Sequence, residues 1–149
     1  MKTHYDLIII GAGPAGMAAC AEAVKYGLST IALGEQQTPG GQVYRTIEQI
    51  GVDVMNILGP DYQEGKNLVR QFRETSVDYL PGTTVWQVES GSDMTVSFVS
   101  QGDARQVRGK KILIAAYREV DVSGVGYFRT RPPIKPITVE QLSNLQLAG

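Results

Sequence analysis

Three glycines, Gly11, Gly13 and Gly16, are spaced as Gly-x-Gly-x-x-Gly with Ala12, Pro14 and Ala15 between them. That spacing suits phosphate chemistry for a physical reason at each position. Gly11 permits a tight turn out of a strand, Gly13 lets backbone approach a pyrophosphate, and Gly16 lets a helix pack closely on the strand. A helix that begins there turns its unpaired N–H groups and its positive dipole end toward the phosphates. Glu35 stands about 20 residues further on, where a carboxylate accepts hydrogen bonds from adenosine ribose hydroxyls and repels a 2′-phosphate. Together these residues predict an adenine-dinucleotide site. They leave FAD and NAD both open. Cys20 has no second thiol and no histidine placed to activate it, so it reads as a small packing residue on the helix. His4 reads as a solvated residue near the chain start.

The elements that must position this loop follow from the hydrophobic pattern. Residues 5–10 (Tyr-Asp-Leu-Ile-Ile-Ile) form a short apolar run that stops at Gly11, as a strand buried on both faces does. Residues 17–26 read as a helix closed by Gly27, and residues 29–34 as the next strand. Strand, glycine turn, helix and strand make a βαβ unit with a right-handed crossover. A polar Pro/Gly loop spans 36–42, and 43–59 carries one short helical turn. A helix is expected over 61–76, with Leu68, Val69 and Phe72 on one face, then a returning strand at 77–80. Residues 83–89 and 94–100 read as antiparallel strands, because Met94, Val96 and Phe98 alternate with Thr95 and Ser97. A second doubly buried strand is expected at 112–116. The predicted fold class is α/β: a Rossmann-like domain whose parallel sheet carries helices, with a small antiparallel β-meander near 83–107 packed on it. Residues 1–116 form that domain. Residues 117–149, with the stiff Arg131-Pro132-Pro133-Ile134-Lys135-Pro136 stretch and a short helix over 139–147, read as a tail or arm.

Composition narrows the function classes. The 149 residues are 42% hydrophobic, 7% aromatic and 19% charged, enough for one domain with a proper core. Fourteen Lys+Arg against fifteen Asp+Glu leave a formal charge of −1, so no overall field favours nucleic acid or anionic lipid. One cysteine and one histidine exclude an internal disulfide, a CxxC redox pair and a His- or Cys-rich metal centre. No apolar run reaches about 18 residues and no signal-peptide pattern opens the chain. A cytoplasmic protein outside the membrane is expected.

The stretch from Asp6 to Ala19, Asp-Leu-Ile-Ile-Ile-Gly-Ala-Gly-Pro-Ala-Gly-Met-Ala-Ala, resembles the opening of the two-dinucleotide-domain flavoproteins, the pyridine nucleotide-disulfide oxidoreductase-like superfamily. Gly40-Gly41-Gln42 is similar to the flavin-side loop of the thioredoxin-reductase-like members. The longer string through Val43, Tyr44 and Arg45 resembles one branch, the FAD-bearing subunits of opine oxidases, hydrogen cyanide synthase and related amino-acid dehydrogenases. The resemblance covers residues 5–116 and implies a site map. Ala12, Gly13, Pro14 and Ala15 would line the FAD pyrophosphate. Glu35 would hold the adenosine ribose with Gln36 beside it, Gly41, Gln42 and Val43 would approach the flavin, and the backbone of Val85 would face the adenine. The chain also departs from the family. A dithiol is absent, which excludes disulfide reduction. Ala116, Tyr117 and Arg118 stand where the family continues with Thr-Gly, and the second dinucleotide domain has no counterpart.

These features imply the FAD-binding part of a flavin-dependent oxidoreductase of the amine, amino-acid or opine type, with no catalytic side chain of its own and no turnover alone. The alternatives are a non-catalytic adenine-dinucleotide module, holding NAD or FAD, and a truncated product stabilised by dimerisation. The arm leaves open a homodimer or association with other oxidoreductase subunits.

Overall fold

The structure, a computed structural model, describes residues 1–41, 44 and 60–116 of the chain. The expected helical turn within 43–59, the arm at 117–149 and its helix lie outside the described residues. Among the described residues, six strands and two helices follow in the order β1 (His4–Ile10), α1 (Pro14–Lys25), β2 (Thr30–Leu33), α2 (Pro60–Arg73), β3 (Asp78–Leu80), β4 (Thr83–Glu89), β5 (Met94–Ser100) and β6 (Asp103–Ile114). The strands form one mixed sheet in the order β3-β2-β1-β6-β5-β4. β1 pairs in parallel with β2 and β6, and β2 with β3, while β4, β5 and β6 are antiparallel. This is the Rossmann-like α/β architecture expected from the sequence.

The run of isoleucines in β1 makes sense because both sheet faces are covered. Leu7 and Ile9 face α1 and α2, packing with Met17, Cys20, Val69 and Phe72. Ile8 and Ile10 face the other way, packing with Val85, Val96 and Phe98 of the meander. β2 splits likewise, Ala32 toward the helices and Ile31 and Leu33 toward the meander. Burying each Ile or Leu side chain stabilises the fold by about 1.5–3 kcal/mol, so the central strands anchor two cores at once.

One expectation is corrected: the strand at 112–116 is neither separate nor doubly buried, since it is the end of a longer strand and Leu113 and Ile114 are exposed. A single strand, β6, pairs with β5 from Asp103 to Gly109 and with β1 from Arg108 to Ile114. Gly109 sits where one pairing hands over to the other. A Cβ there would come 2.8 Å from Cγ1 of Ile8, so glycine is what lets β6 approach β1 while the sheet curls. The curl brings the meander over the β1–β2 face, and in that sense it does pack on the sheet. Its hairpin turn places Gln101 and Gly102 at positive φ (54° and 86°), as a type I′ turn requires.

Candidate functional site

The carboxyl ends of β1 and β2 carry the glycine loop expected to meet phosphate. Gly11 has φ +109°, and its N–H donates to Leu33 O at 2.8 Å, joining the ends of both strands. A Cβ at Gly11 would meet Ala115 O at 2.6 Å, because residues 115–116 cross directly over it. A Cβ at Gly16 would be driven into the carbonyl oxygen of Gly11. At Gly13, by contrast, an added Cβ meets nothing within 4 Å. Two glycines are needed for packing and the third opens onto free space, which suits backbone approach to a ligand.

α1 starts earlier than the sequence pattern suggests, at Pro14 rather than at Met17. Proline fits the first turn because its φ is preset and its missing N–H is not needed there. Gly13 is the N-cap, no side chain caps the turn, and Met17 N–H donates to Gly13 O at 2.9 Å. The first-turn amides therefore face the loop with no side-chain acceptor at the N-cap, and no acidic residue stands in the turn. Ala12 is buried, Pro14 half-buried and Ala15 exposed.

Two further segments close on this loop. Gly40 N–H donates to Ala12 O at 2.8 Å, and a Cβ on Gly41 would come 3.1 Å from Gly13 Cα. The Gly-Gly turn, with φ +119° and +61°, thus lies against the phosphate loop. Gln42 and Val43 lie outside the described residues. On the other side a Cβ at Gly34 would come 3.1 Å from Ala12 Cβ, so exposed Glu35 and half-buried Gln36 follow directly beside the loop. Gly34 N–H donates to Leu80 O and Thr83 N–H to Gly34 O, both at 2.9 Å, while Gly82 N–H reaches Gln36 O at 3.2 Å. Sequence reasoning misses these β3–β4 residues. The Pro81-Gly82 dipeptide signals a turn, although nothing local says what it braces. Val85 is placed differently from the rest: its side chain is buried in the meander core, beside a bulge between Val85 and Gln87.

The opposite end of the sheet is built otherwise. A cleft of about 330 Å³ is lined there by residues including Lys2, Tyr5, Ser29 and Asp78. Its polar groups already satisfy one another: Tyr5 donates its hydroxyl to Asp78 at 2.5 Å and accepts from the Lys2 N–H at 2.7 Å. Burial, then the bond to Asp78, holds the Tyr5 phenol protonated far above its ordinary range. Burial alone pushes the Cys20 thiol up to about 12, in keeping with a packing role. His4 is exposed and lies 3.2 Å from Asp93. Among the described residues no group of His, Cys, Asp and Glu is arranged to hold a metal, and no helix is long and apolar enough to cross a membrane.

A cradle with an uncapped helix N-terminus, an open Gly13 and an adjacent acid fits an adenine dinucleotide, and comparison with known proteins agrees with that fit. Residues 5–129 match the pyridine nucleotide-disulphide oxidoreductase family, so the likeness runs past residue 116, where the resemblance read from the motifs ends. The chain is 43% identical over 125 residues to an opine oxidase subunit of Agrobacterium tumefaciens (strain Ach5), covering 84% of this chain and 24% of that protein. It is 33% identical over 129 residues to thioredoxin reductase of Bacillus subtilis (strain 168), covering 80% of this chain and 37% of that protein. Among solved structures, L-proline dehydrogenase from P. horikoshii superposes with a TM-score of 0.59 at 23% identity, over 75% of this chain and 22% of that one. The chain spans about a quarter of the length of the opine oxidase subunit it matches. With the family match covering residues 5–129, most of its length, the chain belongs to the pyridine nucleotide-disulphide oxidoreductase family.

Proposed function

We propose that this chain is the FAD-binding segment of a flavin-dependent oxidoreductase acting on amines, amino acids or opines. The observation that carries the choice of FAD over NAD is the seal between the two glycine motifs, Gly40 N–H to Ala12 O and Gly41 against Gly13. It joins the pyrophosphate loop to the segment that leads into Gln42 and Val43, so one cradle would follow the cofactor from phosphate toward flavin. Ala12, Gly13, Pro14 and Ala15 would hold the pyrophosphate through backbone, Glu35 and Gln36 the ribose, and the Val85 backbone the adenine. FAD, when bound, supplies a two-electron acceptor for hydride from an amine-bearing carbon. The chain's own part is binding and orientation, since no described side chain at the cradle is placed as acid or base. The amine or opine substrate rests on the likeness to the opine oxidase protein, whose designation as a subunit also favours work alongside other chains. A second reading, a non-catalytic adenine-dinucleotide module, would use the same open Gly13 and the neighbouring Glu35, with Gly40 and Gly41 serving only as a turn.

The visible spectrum of the purified protein separates the two. Flavin bands that stay with the protein on gel filtration, and release FAD on denaturation, support the first. A colourless protein that binds ADP or NAD but takes up no added FAD supports the second. Glu35→Arg tests the ribose contact in either case. Loss of a charge-assisted hydrogen bond should weaken ADP binding by about tenfold or more. Unchanged affinity removes Glu35 from the site.

A further inference from the structure

We propose that Tyr79 is a positioning residue for Glu35, setting the distance between the ribose-binding acid and the phosphate loop. This deepens the reading above and rests on the ribose role it gives Glu35.

Glu35 lies in an exposed stretch after β2, where a carboxylate on an unbraced loop would sample many positions. Ribose recognition needs one of them. The peptide units on either side of Glu35 are both tied to the β3–β4 region. Before it, Gly34 uses its N–H and its carbonyl, to Leu80 O and from Thr83 N–H. After it, Gln36 O accepts from Gly82 N–H and, through a long 3.5 Å hydrogen bond, from the Tyr79 hydroxyl.

The ring of Tyr79 adds something the backbone bonds do not. A Cβ on Gly34 would come 2.9 Å from Tyr79 Oη, 3.0 Å from its Cε2 and 3.1 Å from Ala12 Cβ. Gly34 therefore lies close against both the tyrosine ring and the glycine loop. Behind the ring stands Phe72 of α2, edge-on at 5.2 Å between centroids and 80° between planes. Phe72 is 3% exposed and cannot retreat into solvent. The stack Phe72, Tyr79, Gly34, Ala12 thus converts helix packing into a fixed spacing between acid and phosphate loop. That spacing has to match the reach from ribose to pyrophosphate within one adenosine diphosphate. In this arrangement Tyr79 acts through the Glu35 loop, by its hydroxyl on Gln36 O and its ring beside Gly34.

A double-mutant cycle on the full chain tests this, with ADP and inorganic pyrophosphate as calorimetric probes. Tyr79→Phe keeps the ring and removes the hydroxyl, and it should weaken ADP by about two- to tenfold while leaving pyrophosphate unchanged. In a Glu35→Gln background the same change should cost nothing further, because the two residues act as one unit. Equal loss for both probes, additive losses in the double variant, or unchanged ADP affinity would each overturn the proposal. Amide hydrogen exchange of the unliganded chain supplies a readout without ligand. Tyr79→Phe should speed exchange at Gly34, Gly82 and Thr83 several-fold and leave the β1–β6 amides unaffected. If the wild-type chain binds no ADP, the ribose role of Glu35 fails, whereas unchanged exchange in Tyr79→Phe overturns the brace itself.

Discussion

The two ends of the parallel strands solve opposite problems with different parts of the residue. At the carboxyl end, contacts are made mostly by backbone: Gly11 N–H to Leu33 O, Gly40 N–H to Ala12 O, Thr83 N–H to Gly34 O, with the Tyr79 hydroxyl added on Gln36 O. At the amino end they are made largely by side chains: Tyr5 to Asp78, Ser29 to Asp6, Lys110 to Asp6. The side-chain end consumes its own polar groups. The backbone end leaves the first-turn amides of α1 without a side-chain cap and leaves Gly13 open. A sheet end held together by glycines and main-chain bonds keeps donors and space for a ligand, and one laced by side chains spends both on stability.

That contrast can be broken by substitution. The largest effect is expected at Gly16→Val, whose side chain would be driven into Gly11 O and toward Ala115 Cβ. Stability should fall by about 3 kcal/mol, near 10 °C in Tm, with nucleotide binding lost. A Tm close to wild type in a thermal melt would show that the helix can retreat from the strand and that the close contact is dispensable.

Tyr5→Phe probes the other end. It removes the donor to Asp78, so about 1–2 kcal/mol of stability and about 3–6 °C of Tm should go. ADP affinity, measured in the same preparation, should be unchanged. A tenfold loss of affinity would mean that the two ends are coupled and that the division between them is false.

The smallest effect concerns acid. The Lys110 hydrogen bond first, then those from Ser29, hold the Asp6 carboxyl well below the usual carboxylate range. A depressed native pKa stabilises the fold above the unfolded value of about 4, and that contribution is lost as pH falls through the native value. The urea midpoint of wild type should exceed that of Asp6→Asn near pH 7, and the gap should narrow in acid. Because Lys110 is largely exposed, added salt should shrink the gap as well. A gap that does not change with pH would assign the effect to packing rather than charge.

How much can be read in advance follows the same division. The phosphate loop, its strand and its helix are legible because they are contiguous, and each glycine answers a local backbone demand. The bounds of β4 and β5 match the sequence pattern, although β5 is not the half-buried strand its alternation suggests, since Ser97 is buried beside Val96 and Phe98. The pattern starts α1 too late because Pro14 and Ala15 read as part of the loop, although proline is at home in a first turn. It divides β6 in two because exposed Lys110 and Lys111 interrupt the apolar run, while the cause of the strand's continuity, Gly109 against Ile8, lies in another strand.

By itself, then, the sequence determined the motif, its α/β setting and the acid that accompanies it, since those depend on neighbours a few residues away or on one βαβ step. Only the tertiary structure decided where that acid stands and what holds it. Tyr79 reaches Gln36 from the next strand of the sheet, Gly34 lies close to both Tyr79 and Ala12, and Tyr5 finds Asp78 across β2. Such contacts join residues far apart in the chain, and no local propensity encodes a partner that only the folded sheet brings within reach.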